Sequence, residues 1–255
     1  MQGFMELQFL PAMLDTHPVT TVPNTALTLH PRAVMKGLLL ITFLLLIPNL
    51  ISIYYQRMPG RPVAGELVIQ YFNFNIESNV PTFFSALLLL MAAALLLVIA
   101  RQHRGNAQAK YWWVLGGIFI FLAVDESAQI HEGVTRLMYL ATGTVQLPGY
   151  FLYAWVIPYL LATVAGGAFF FNFLLKLPFL IRNLFVVAGG MFVAGALGLE
   201  MLEGHFNLVY GYGNVYTTLL ATLEELLEMS GVILFIYALL LCVSRSTGKI
   251  TLLVK

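Results

Sequence analysis

Residues 111–140 read YWWVLGGIFIFLAVDESAQIHEGVTRLMYL. The stretch is apolar from Tyr111 to Val124, then carries Asp125, Glu126, His131 and Glu132 before turning apolar again. A run of this length can cross the roughly 30 Å hydrocarbon layer as a helix. An ionised carboxylate at that depth costs on the order of 3 kcal/mol or more, so acids there face a protein interior and mark an ion, proton or substrate site. Glu200 and Glu203 close a second apolar run, and Glu224, Glu225 and Glu228 open a third. The chain has 12 acidic residues, and two-thirds of them fall in these three segments.

Composition agrees with a membrane solvent. The 255 residues are 60% hydrophobic and 10% charged, with a mean hydropathy of +0.85. A soluble domain carries about 25% charged residues. The fold class is therefore all-α: a polytopic membrane protein built as a bundle of six transmembrane helices. The spans are expected near 33–55, 80–100, 111–140, 150–175, 181–203 and 215–243. Residues 1–32, broken by Pro11, Pro18, Pro23 and Pro31, read as an irregular arm, and 244–255 as a tail. Together 33–243 make one transmembrane domain. Residues 56–79 form the one long loop, rich in aromatics and suited to an interface.

Charge sets the orientation. Arg32, Lys36, Arg101, Arg104, Lys110, Lys176, Arg182, Arg245, Lys249 and Lys255 fall on one face, while Arg57 and Arg61 lie in the loops of the other. The positive-inside rule puts both termini in the cytoplasm. Cys242 is the single cysteine, which excludes a disulfide framework and a thiolate metal cluster. No phosphate loop, nucleotide fingerprint or basic nucleic-acid patch is present.

This topology makes the acids a site. Span three runs outward, with Asp125 near mid-membrane and Glu132 near the outer edge. Span five also runs outward and ends on Glu200 and Glu203, while span six starts outside with Glu224, Glu225 and Glu228. All share one depth. At 100° per residue Asp125, Gln129, Glu132 and Arg136 fall on one stripe, whereas Glu126 and His131 point to either side of it. Arg136 is expected to pair with Glu132. Gly166-Gly167 and Gly189-Gly190, with Gly195 and Gly198, are expected to allow close helix packing.

So many carboxylates beside one arginine need protons or metal ions to neutralise them. The metal-ligand candidates are Asp125, His131, Glu132, Glu200, Glu203, Glu224 and Glu228, with Glu77, Asn79, Glu126, Gln129, Arg136 and Glu225 flanking them. Carboxylates from several helices with a histidine suit iron, manganese or zinc. The Glu-x-x-His pairs of soluble dimetal bundles are absent.

Three segments carry a resemblance. They are Glu77-Ser-Asn79-Val-Pro81-Thr82-Phe-Phe-Ser85, then Asp125-Glu126-Ser-Ala-Gln-Ile-His131-Glu132, then Glu224-Glu225-Leu-Leu-Glu228-Met229-Ser-Gly231. Together they resemble a group of uncharacterised bacterial multipass membrane proteins with E-x-N-x-P-T-x-x-S, D-E-x4-H-E and E-E-x-x-E-M-x-G segments. The resemblance implies a bacterial inner-membrane location, brings Glu77 and Asn79 into the candidate site, and implies no chemistry. The expected function is metal binding within the membrane, with a metalloenzyme acting on a lipid or other apolar substrate, through a carboxylate-rich site in the outer half of the membrane, as its fullest form. A proton or cation carrier is the first alternative. A non-catalytic subunit of a larger membrane complex, with other membrane subunits as partners, is the second. No nucleic-acid partner is expected.

Overall fold

The computed structural model describes residues 26–28, 30–143, 147, 149–247 and 251–253. Most of the expected arm, 1–25 and 29, and most of the tail lie outside the described residues. The chain folds as α1 (Pro31–Gln56), α2 (Val63–Phe72), α3 (Val80–Gln102), α4 (Ala109–Ala128), α5 (Ile130–Thr142), α6 (Val156–Lys176), α7 (Phe179–Val193), a π-helical segment (Ala194–Leu199), α8 (Glu200–Tyr210) and α9 (Val215–Thr247). Six helices are long and apolar enough to cross a membrane, with α7, the π segment and α8 counting as one. This is an all-helical, multipass membrane bundle. Short strands Ala26–Thr28 and Thr251–Leu253 pair antiparallel, so the chain returns to the side from which it set out.

The bundle is built around α3 and α9. Half of the apolar window of α3 (50%) and 56% of that of α9 are buried, against 17% in α1 and α6. Lipid offers no hydrophobic drive to pack one helix on another, so close contact depends on small residues and dispersion. Ala86, Ala92, Ala93 and Ala100 of α3 are buried, and so is Ala238 of α9. Gly231 of α9 meets α7 so closely that an added Cβ would stand 2.9 Å from Ala188 O and 3.0 Å from Phe192 N.

Two expectations change here. The crossing part of the third span ends at Ala128, because Gln129 takes the left-handed conformation (φ 54°) and a separate helix, α5, begins. The fifth span extends to Tyr210 through a π segment rather than ending at Glu203. Trp112, near the start of α4, is buried, with Phe173 edge-on at 5.0 Å between ring centroids.

Within the 56–79 loop, α2 is too short to cross. It lies along α1, where Gly65 sits beneath the Tyr55 ring, 2.8 Å from the position of an added Cβ. The remainder of the loop is held by buried amides. Asn49 of α1 accepts from Phe74 N at 2.9 Å and donates to Thr222 Oγ1 of α9 at 3.1 Å. Asn73 donates to Ser52 Oγ at 2.8 Å. Asn79 accepts from Thr82 N at 3.1 Å, capping α3, and donates back to Asn73 O and Ile76 O. Side-chain capping of this kind satisfies amides that the helix start leaves free. In hydrocarbon, where water cannot substitute, each such bond is needed.

Candidate carboxylate site

A cavity of ≈ 690 Å³ opens between α4, α6, α7 and α9. Nine carboxylates line one end of it: Glu77, Asp125, Glu126, Glu132, Glu200, Glu203, Glu224, Glu225 and Glu228. His131 joins them, and no lysine or arginine among the described residues lines the wall. The shared depth of the three acidic segments thus becomes a shared cavity.

The break at Gln129 brings His131 inward. On an unbroken helix His131 and Glu126 would diverge. With Gln129 left-handed, the His131 backbone N–H donates to Asp125 Oδ1 at 2.8 Å. Its ring then faces two carboxylates, with Nε2 3.1 Å from Glu77 Oε1 and Nδ1 3.4 Å from Asp125 Oδ1. Burial works against the imidazolium, but the hydrogen bonds to Asp125 and Glu77 and the charges of both outweigh it and push His131 up to about 10. Asp125 Oδ2 also accepts from Tyr159 Oη at 3.1 Å. Both Asp125 oxygens are therefore engaged, which makes Asp125 the residue that orients His131.

Two sets of ligand atoms converge. One oxygen or nitrogen each from Glu77, His131 and Glu132 lie within 4.8 Å of one another, and so do oxygens of Glu200, Glu203 and Glu224. Trp155 stands between the sets: its ring is 4.9 Å from the His131 ring, and its Nε1 donates to Glu200 Oε1 at 3.3 Å. Glu203 is buried, and its Oε1 has no hydrogen-bond partner. An unpaired buried oxygen costs about 1–3 kcal/mol, more when charged; a cation, or a proton shared with the neighbouring Glu224 carboxyl, would each relieve it. Gly195 of the π segment makes room for the second set. An added Cβ there would stand 2.9 Å from Glu228 Cγ and 3.0 Å from Glu224 O.

The other expected residues sort by contact. Glu126, Glu225 and Glu228 line the same cavity outside the two convergent sets. Asn79 caps α3 and fastens the loop that presents Glu77. Gln129 makes the helix break. Arg136 is exposed and forms no ion pair with Glu132 among the described residues. Gly166, Gly167 and Gly189 do not serve close packing: an added Cβ on each would meet nothing within 4 Å, and all three line the cavity. His205 stacks on Tyr150 at 4.7 Å, away from the acids.

Sequence reasoning passed over Trp155, Tyr159 and Ser85. Trp155 and Tyr159 sit at i,i+4 spacing where α6 begins, a position that also suits plain interfacial aromatics, so their type gave no signal. Ser85 is buried with an unpartnered Oγ and shares a small second pocket with Glu126 and Glu228. Its place at the end of the Glu77–Ser85 motif was the available sign.

The match to a family model covers residues 38–243, which is every residue of both ligand sets. The chain belongs to the family described as a domain of unknown function, DUF8692. The family's extent leaves out the first 37 residues and the tail, and coincides with the bundle that builds the cavity. No curated protein and no solved structure matches the chain.

Proposed function

We propose that the protein holds divalent metal at the carboxylate end of the cavity and presents it to the polar end of a lipid. The observation that carries this reading is the pair of convergent sets, Glu200/Glu203/Glu224 and Glu77/His131/Glu132, on the wall of one cavity that no lysine or arginine among the described residues lines. The more enclosed set, Glu200, Glu203 and Glu224, is taken out of water and needs a neutralising partner, whereas Glu132 of the other set is exposed. A divalent ion neutralises two of them and satisfies Glu203 Oε1 at once.

The donor chemistry fits. Carboxylate oxygens with one imidazole suit iron, manganese or zinc. In the Glu77/His131/Glu132 set His131 would bind through Nε2, with Nδ1 facing Asp125 Oδ1 at 3.4 Å, the carboxylate–histidine pairing that fixes ring orientation in many metal sites. Tyr159 and the helix break hold Asp125 and His131 in that relation. A bound ion there supplies Lewis acidity or an activated water. The protein's own groups orient the imidazole, exclude bulk water with the Trp155 and Tyr159 rings, and offer uncommitted carboxylates such as Glu126 and Glu228 to carry protons.

Lipid as the substrate follows from where the cavity leads. Beyond the acids its walls are apolar, formed by residues such as Leu115, Ile118, Phe119, Phe170 and Phe235. Such walls suit a hydrocarbon chain better than a hydrated ion path, which favours this reading over the carrier. The charge bias of the loops supports an acid end on the outer side, and we take the membrane to be a bacterial inner membrane.

Elemental mass spectrometry of the detergent-purified protein, after a mild chelator wash, tests the reading. One or two equivalents of iron, manganese or zinc are expected, lost in Glu203→Gln and Glu224→Gln while the helical circular dichroism is kept. Full metal occupancy in both variants, or none in the parent, overturns it.

A further inference from the structure

Helix α6 is fastened at its two ends and stands away in the middle. At the acid end Tyr159 donates to Asp125. At the other, Phe169 and Phe173 pack on Tyr111 of α4 at 5.2 and 5.0 Å between centroids. Between these points lie Gly166 and Gly167, and across from them Gly189 of α7, with nothing within 4 Å of an added Cβ on any of the three. Ile118 and Phe121 of α4 and Ala162 and Gly167 of α6 line the cavity yet are exposed. The cavity is thus open sideways at hydrocarbon depth, where lipid chains are the solvent.

The slot has a polar end and a closed end. From Glu224, beside Glu203, forward to Phe235 along α9 is about 16 Å at 1.5 Å per residue. The far end is a floor of rings: Phe235 stacks on Phe119 at 4.8 Å and meets Phe185 at 4.6 Å, with Phe173 alongside. An extended chain of roughly a dozen carbons spans that length. At the near end the wall is carboxylate and at the far end aromatic, so an amphiphilic occupant has a direction.

We infer that the site takes an amphiphile by one hydrocarbon chain of about twelve carbons, entered sideways between α4 and α6, with the aromatic floor measuring chain length. This deepens the proposed function and rests on its placing of the reactive end at the acids. It does not rest on the metal.

ω-Bromoalkanols of 8, 12 and 16 carbons are the probe, added to the full-length protein in nanodiscs of unbrominated phospholipid. A seated twelve-carbon chain puts bromine at the floor, beside Phe173 and its neighbour Trp112. Trp113→Phe serves as background, because exposed Trp113 would report probe dissolved in the bilayer. The expected result is saturable quenching that is severalfold stronger with 12 carbons than with 8 or 16. Gly189→Leu should abolish it, and Phe235→Ala should move the optimum to a longer chain. Quenching that is unsaturable, or independent of chain length and of both substitutions, overturns the inference. Should Gly189→Leu fail to fold, Phe235→Ala decides alone. Metal is measured on the same samples. Metal without chain selectivity defeats this inference only, and chain selectivity without metal defeats the metal reading only.

Discussion

Gln129 Nε2 donates to Ser78 Oγ at 3.1 Å, and these two are the non-glycine residues with positive φ, 54° and 58°, among the described residues. The bond joins the end of α4 to the loop before α3, and immediately beside it Glu77 meets His131. A left-handed non-glycine residue costs on the order of 1–2 kcal/mol. Here two such residues support each other, and the outcome is a histidine turned into the acid cavity. Backbone strain of this kind gathers where a site must be held in an uncommon geometry.

A substitution order follows from that strain. In a helix interior alanine is favoured over glycine by about 1 kcal/mol. At Gln129 the order should reverse, with Gln129→Gly more stable than Gln129→Ala by about 1 kcal/mol, because glycine adopts φ 54° freely. Thermal midpoints of the two variants in the same detergent check this. An equal or higher midpoint for the alanine variant would show that the helix runs on through residue 129.

The pH dependence of the metal-free protein has a definite sign. His131 titrates at about 10 in the fold against an ordinary 6.5. A raised folded value stabilises fully below the unfolded one, and the contribution is lost as pH rises through the window from about 6.5 to about 10. Chelator-treated protein should therefore weaken across that range in denaturant titrations, and His131→Gln should flatten the slope. Over the same window metal capture by Glu77, His131 and Glu132 should strengthen, since metal displaces the ring proton.

Metal removal and carboxylate removal should act in opposite senses. Saturating metal at about a hundredfold over its dissociation constant adds about 2.7 kcal/mol to a fold that alone binds it, so chelation should lower the parent's thermal midpoint. In Glu203→Gln or Glu224→Gln the chelator should have little effect. Their metal-free forms should melt above the metal-free parent, because like charges are no longer crowded. A parent midpoint indifferent to chelator would remove the metal from the folded state.

Gly195 is where packing and site meet. Gly195→Ala sets a Cβ 2.9 Å from Glu228 Cγ and 3.0 Å from a backbone oxygen of α9. Overpacking of this kind costs about 1–3 kcal/mol, and the displaced π segment should separate Glu200 and Glu203 from Glu224. Lower stability together with weaker metal retention is expected. Retention at parental strength would show that the two walls are not set by this contact.

Asn49 supports the site from the far side of the loop. Asn49→Leu leaves the buried Phe74 N–H without its acceptor, at about 1–3 kcal/mol. Faster proteolytic cleavage within 73–79 would register the loosened loop. Cleavage at the parental rate would show that Asn73 and Asn79 hold the loop unaided.

The number of crossings and the common depth of Asp125, Glu203 and Glu224 were legible in the sequence. Span length follows from hydrocarbon thickness, and depth follows from counting residues along alternating spans. The apolar runs and the scarcity of cations beside the acids fixed a membrane bundle with an uncompensated acidic end, and they did so without any contact being known. What only the tertiary structure decided is how those acids meet. Facial counting at 100° per residue assumes an unbroken helix, and the break at Gln129 depends on Ser78, 51 positions away in the chain. Likewise Gly166, Gly167 and Gly189 read as packing residues by composition, because a glycine leaves space whether a neighbour or a void fills it. Only the tertiary structure tells which, and it leaves nothing within 4 Å of an added Cβ on any of the three.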